Sequence, residues 1–113
     1  MRAGESFTLE TDAPARQWLQ THPSIRPRVI AYDAHRCCGG GVICRVSIRE
    51  LSRKEDPTRF ATGVLDGGAT VLIDPRAAAR LPARFGLTVR GLGPLKHLDL
   101  ELDGEQWGEL LYS

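Results

Sequence analysis

Three cysteines fall within eight residues of the chain, in the run His35-Arg36-Cys37-Cys38-Gly39-Gly40-Gly41-Val42-Ile43-Cys44, and there are no others. Thiolates are nucleophiles, redox centres and ligands for soft metals. The glycines between them accept φ > 0 without strain and let backbone approach a bound ion or cluster closely. Their amides are also suited to an anion-binding nest that would offset thiolate or cluster charge. Candidate ligands are therefore Cys37, Cys38 and Cys44, with His35 two residues upstream and Gly39, Gly40 and Gly41 as the backbone cradle.

Each of these residues has a plainer reading. Adjacent residues in an extended segment point to opposite sides, so Cys37 and Cys38 share a ligand only in a bent loop. A vicinal disulfide between them would need unusual backbone geometry. Metal or cluster binding, reversible thiol redox and an incidental role are all open to the pair. Cys44 alternates with Val42, Val46 and Ile48 on the apolar face of a strand, which predicts a buried structural thiol. His35 reads equally as a surface histidine. Three thiols leave a four-coordinate site one ligand short, which His35 or a second subunit would supply.

The loop must be carried by the elements on either side of it. Phe7-Thr8-Leu9 alternates as an opening strand. Thr11 or Asp12 caps a helix with Pro14 in its first turn, and Ala15, Trp18 and Leu19 share its face, placing it near 12–20. Arg28 to Asp33 is a strand leading into the cysteines, and Val42 to Arg49 is the strand leading out. Leu51 to Arg59 is charged, contains Pro57 and reads as a surface loop. Phe60–Leu65 and Ala69–Ile73 flank Asp66-Gly67-Gly68 as a hairpin. Asp74 reads as an N-cap with Pro75 at N1, opening a helix over 75–81. Leu87–Arg90 is a strand broken by Gly91 and Gly93-Pro94, and His97–Leu102 alternates as another. Asp103-Gly104 reads as a turn, with Gln106 to Leu111 returning as a final strand. Trp18 and Trp107 are expected in the core. His22 and His97 have no sequence neighbours that suggest ligation. The expected fold is α+β, a β-rich single domain over 1–113 with mixed or antiparallel strands and two short helices.

The chain has 113 residues, 15 basic and 14 acidic, for a net charge of +1. Near-neutral charge argues against a nucleic-acid or acidic-lipid partner. The arginines between Arg45 and Arg59 are interleaved with Glu50, Glu55 and Asp56, as on a solvated face. Apolar runs are too short for a membrane span, and Met1 to Ser6 lacks the apolar core of a signal peptide, so a cytoplasmic location is expected. An odd number of cysteines in that setting argues against a disulfide framework. No nucleophile motif, phosphate loop or carboxylate pair marks an enzyme.

The order of elements, with these residues, resembles the A-type iron–sulfur carrier family, also called HesB/IscA-like. The resemblance rests on Thr8 to Gln20, on Val29 to Ile48 around the cysteine loop, and on Gly68-Ala69-Thr70-Val71-Leu72-Ile73-Asp74-Pro75 with Leu81 and Leu87-Thr88-Val89. It implies a HesB/IscA-like fold and an iron–sulfur cluster or iron as cofactor. It further implies apo iron–sulfur client or assembly proteins as partners, and a homodimer. Carriers of this family have one loop cysteine plus a Cys-Gly-Cys pair near the C-terminus. Here Cys38 matches the loop cysteine, Cys37 and Cys44 have no counterpart, and 103–113 contains no cysteine. A thiol-redox or other soft-metal-handling protein, and a metal-free binding module, are the alternatives on the same fold.

Overall fold

Strand β1 (Ser6–Thr11) lies at the heart of one seven-stranded mixed sheet of order β3-β2-β5-β4-β1-β6-β7. The computed structural model of the chain describes residues 6–36 and 42–112, with side chains over 7–33 and 45–111. The other strands are β2 (Arg28–Arg36), β3 (Val42–Glu50), β4 (Ala61–Leu65), β5 (Thr70–Ile73), β6 (Arg84–Arg90) and β7 (His97–Glu101). Helices α1 (Ala13–Thr21), α2 (Pro75–Ala78) and α3 (Gly104–Tyr112) accompany them. The fold is α+β and β-rich, as its alternating sequence implies.

Alternation decides the strand faces. Phe7, Leu9 and Thr11 of β1 are buried while Thr8 and Glu10 are exposed. Ala61 and Leu65 of β4, and Leu98 and Leu100 of β7, turn inward in the same way. Together with Ile30, Ile73, Phe85, Leu87 and Leu110 they form one apolar core. The sheet curls until its edge strands β3 and β7 come against each other, giving a nearly closed barrel.

Asp12 is the N-cap of α1, its Oδ1 accepting from the Ala15 amide at 2.8 Å, with Pro14 just inside the helix. Its Oδ2 accepts from the Thr88 hydroxyl at 2.6 Å, which ties the helix start to β6. The β4–β5 hairpin turns where Asp66-Gly67-Gly68 predicts, with Gly68 at φ +92°. Asp66 also reaches β1, accepting from the Thr11 hydroxyl at 2.8 Å and the Thr11 amide at 3.1 Å. Those bonds from Thr11 hold its carboxyl below the ordinary range. Gly91 closes β6 at φ +94°, where a Cβ would sit 2.3 Å from the Leu95 carbonyl oxygen.

Two expectations are corrected. Residues 106–111 belong to helix α3, not to a final strand, so there are three α-helices among the described residues rather than two. The reason is a capping box: Asp103 Oδ1 accepts from the Gln106 amide at 2.8 Å and Gln106 Oε1 accepts from the Asp103 amide at 3.0 Å. Helical spacing then puts Trp107, Leu110 and Leu111 on one face toward the core, with Leu110 fully buried. The charged segment 51–59 is also not all surface. Leu51 is buried, and its amide donates to the Pro27 carbonyl at 2.8 Å.

Candidate functional site

The two strands that flank the cysteines form the longest ladder of the sheet. β2 and β3 pair antiparallel from Arg28↔Glu50 to Arg36↔Val42. On its other side β2 pairs with β5 at Val29↔Leu72 and Ile30↔Ile73. Among the described residues, β2 from Ala31 to Arg36 therefore has β3 as its ladder partner, and the pair runs on as a two-stranded ribbon of about 20 Å.

The base of this ribbon is fixed by α2. The Asp74 amide donates to the Ile30 carbonyl at 2.9 Å, continuing the β2–β5 pairing by one bond. Asp74 is the N-cap of α2, as its sequence position before Pro75 predicts, accepting from the Arg76 amide at 2.8 Å. The same carboxylate holds the Arg76 guanidinium at 2.9 Å. Burial pushes the Asp74 carboxyl up, but the bonds from Arg76 outweigh it and leave it below its ordinary value. Arg76, so aimed, donates to the Tyr32 carbonyl at 2.5 Å and lies 5.6 Å from the centre of the Tyr32 ring. Arg80 lies 5.7 Å from that ring centre and donates to the tyrosine hydroxyl at 3.2 Å. Helix α2 ends at Ala78, short of the expected 81, so Arg76 from its first turn and Arg80 from the turn that follows it together clamp a buried tyrosine at the root of the ribbon. Sequence reasoning missed this clamp. Its signal was the i, i+4 pair Arg76 and Arg80 after an Asp-Pro helix start.

Across the ribbon's root, Arg49 of β3 meets Glu55 in a bidentate pair at 2.7 and 2.8 Å. Glu55 also accepts from the Ser52 amide at 2.9 Å. The bonds from Arg49, and then that from Ser52, pull the Glu55 carboxyl down to about 2.

Of the sequence-predicted ligands, the backbone of His35 and of Cys44 is described, toward the far end of the ribbon. Cys44 pairs with Ala34 and His35 pairs with Ile43, one rung further on, and Arg36↔Val42 is the last rung. The strand ends that bracket the cysteine–glycine segment thus lie side by side. Cys37, Cys38, Gly39, Gly40 and Gly41 fall outside the described residues, as do the side chains of His35 and Cys44. The expected accessibility of the vicinal pair, the glycine cradle and the burial of Cys44 fall there too. Register brings His35 and Cys44 to within one rung of each other on the ribbon whose ends carry the remaining thiols.

The other two histidines make local contacts. His22 stacks on Trp18 at 4.1 Å between ring centres, and its Nδ1 is 2.9 Å from the Trp18 carbonyl. His97 Nδ1 is 2.9 Å from the Leu95 carbonyl. Trp18 and Trp107 are partly buried against the core. Among the described residues no three His, Cys, Asp or Glu side chains are grouped to hold a metal ion. No helix of the described residues is long and apolar enough to cross a membrane. The chain matches no protein-family model, no curated protein and no solved structure.

Proposed function

We propose that this chain is an iron–sulfur cluster or iron-binding protein that acts in cluster assembly or transfer. Its donors are the thiols at the end of the β2–β3 ribbon. The observation that supports this reading is the register of the ribbon, which sets Cys44 and His35 on adjacent rungs just before the five-residue connection in which the sequence holds the other two cysteines. The donor set fits the cargo. Thiolates are the ligands that iron–sulfur clusters use, and imidazole suits iron. Of this set, Cys38 is the member that matches the loop cysteine of the HesB/IscA-like carriers that the sequence resembles.

Cys37, Cys38 and Cys44 are the proposed ligands, with His35 available as a nitrogen donor. A cluster with four cysteine ligands needs more than one chain supplies with ease, so we place it between two copies across a two-fold axis. In this reading the ribbon end meets apo client or assembly proteins in the cytoplasm, and the protein transfers cargo rather than turning over a substrate.

Anaerobic reconstitution with iron and sulfide tests the proposal directly. Visible absorption characteristic of a cluster, with iron and acid-labile sulfide retained after desalting, is expected from the native chain. Cys38→Ser is expected to lose both and to weaken the metal-dependent dimer. A holo protein that stays monomeric at micromolar concentration would overturn the shared site. Failure to retain iron, together with reversible two-electron oxidation of the Cys37–Cys38 pair, would favour the thiol-redox reading that the vicinal cysteines also support.

A further inference from the structure

One end of the nearly closed sheet opens into a cleft of about 410 Å³. Its walls are apolar. Ile30 and Ile48, which are ladder partners on β2 and β3, line it together with Val71 of β5 and Leu98 of β7. Its rim is formed by the connection from α1 to β2, which brings Ile25, Arg26 and Arg28 to the opening. Ile25 is fully exposed, an apolar side chain beside an apolar cleft with nothing packed on it.

The two rim arginines differ. Arg26 is engaged with backbone, its Nε donating to the Leu51 carbonyl at 2.7 Å and an Nη to the Ser52 carbonyl at 3.2 Å. Arg28 donates one Nη to the His22 carbonyl and stacks on the Trp18 indole at 5.6 Å. Among the described residues neither arginine has a carboxylate within ion-pair distance. Glu50, the ladder partner of Arg28, acts on it from farther away. Burial, the larger effect, lowers the Arg28 pKa despite Glu50. The rim therefore holds a partly desolvated cation whose remaining N–H donors have no anion against them. Small-molecule sites combine these features: a concave apolar surface, a few polar groups that fix orientation, and a position at the mouth of a barrel.

We propose that this cleft binds a small amphiphilic monocarboxylate. Its hydrocarbon body lies against Ile30, Ile48, Val71 and Leu98, and its carboxylate pairs with Arg28 at the rim. The carboxylate is favoured over a neutral head because a charge-assisted bond to guanidinium is about twice as strong as a neutral one. It is favoured over a divalent phosphate because the second rim guanidinium, Arg26, already directs its Nε and an Nη to backbone carbonyls. Ile25 would close over the bound chain. This site is separate from the cysteine ribbon and stands without the metal reading.

The test is titration of the full-length protein with octanoate and with 1-octanol, followed by calorimetry and by the fluorescence of Trp18, which touches Arg28. Saturable one-to-one binding of octanoate is expected, with octanol about tenfold weaker. Arg28→Gln should bring octanoate to the level of octanol and leave octanol unchanged. Ala69→Trp, at an exposed lining position outside the core, should abolish both. Absence of saturable octanoate binding at millimolar concentration would overturn the proposal. So would equal binding of acid and alcohol, or an Ala69→Trp variant that binds like the native chain.

Discussion

Replacing Leu110 by alanine tests whether the C-terminal segment is a structural part of the core. Leu110 is fully buried on α3, the helix that lies against β3 where the sheet comes close to closing. The substitution removes three carbon atoms from a site with no exposed surface. At about 0.8 kcal/mol per buried methylene the transfer loss is about 2.4 kcal/mol. A residual cavity raises the total to about 3 kcal/mol, within the range for buried leucines. For a domain of this size that lowers Tm by about 12 °C. Urea unfolding followed by the two tryptophans reads the change as a lower midpoint at constant slope. Leu92→Ala is the control, since Leu92 is 83 % exposed and its truncation should cost less than about 0.5 kcal/mol. If Leu110→Ala costs no more than Leu92→Ala, α3 does not pack where it is described, and the barrel seam is closed by something else. Asp103→Ala, which breaks the capping box, should cost about 1 kcal/mol and reduce helical circular dichroism.

Three further outcomes follow from local geometry. Asp12→Ala removes both the α1 cap and the acceptor of the Thr88 hydroxyl, and should lower stability by about 2 kcal/mol in urea unfolding. Gly91→Ala combines φ +94° with a Cβ 2.3 Å from a backbone oxygen, and should cost at least about 2 kcal/mol in the same assay. The Glu55 carboxyl sits near 2 in the folded chain, below its ordinary 4.5, so its contribution is complete above pH 4.5 and is lost as pH falls toward 2. Glu55→Gln should flatten that part of the stability–pH curve. High salt should shrink the native effect, because the Arg49–Glu55 pair is accessible to solvent.

The elements written plainly in the sequence are those specified within a few residues. Asp12 with Pro14, Asp74 with Pro75, and Asp66-Gly67-Gly68 are cap and turn signals whose chemistry is complete in place. Residues 106–111 were open to misreading because Asp103-Gly104 is as good a turn as it is a helix start. The deciding partner, Gln106, lies three residues on. Non-local pairing was not legible at all. Nothing in Phe7-Thr8-Leu9 indicates that β1 runs parallel between β4 and β6, or that β2 pairs with β5 for two residues and then leaves it. Those choices are made by burial across the whole sheet, and the Tyr32 clamp and the rim arginines exist only once they are made.

Residue type announces the candidate metal ligands, but their placement depends on positions that carry no such chemistry. A strand register slip of one residue turns every side chain to the other face. On the β2–β3 ladder the register is held by Ile30↔Ile48 and Tyr32↔Val46, where Ile30 and Tyr32 are buried and their partners half-buried. Slippage there would bring apolar groups out to water and tear Tyr32 from Arg76 and Arg80. The same alignment, carried along the ribbon, puts Cys44 opposite Ala34 and His35 opposite Ile43. The core thus sets which rungs the donors occupy. A substitution that loosens Tyr32 should therefore disturb the thiol end of the ribbon without touching a cysteine.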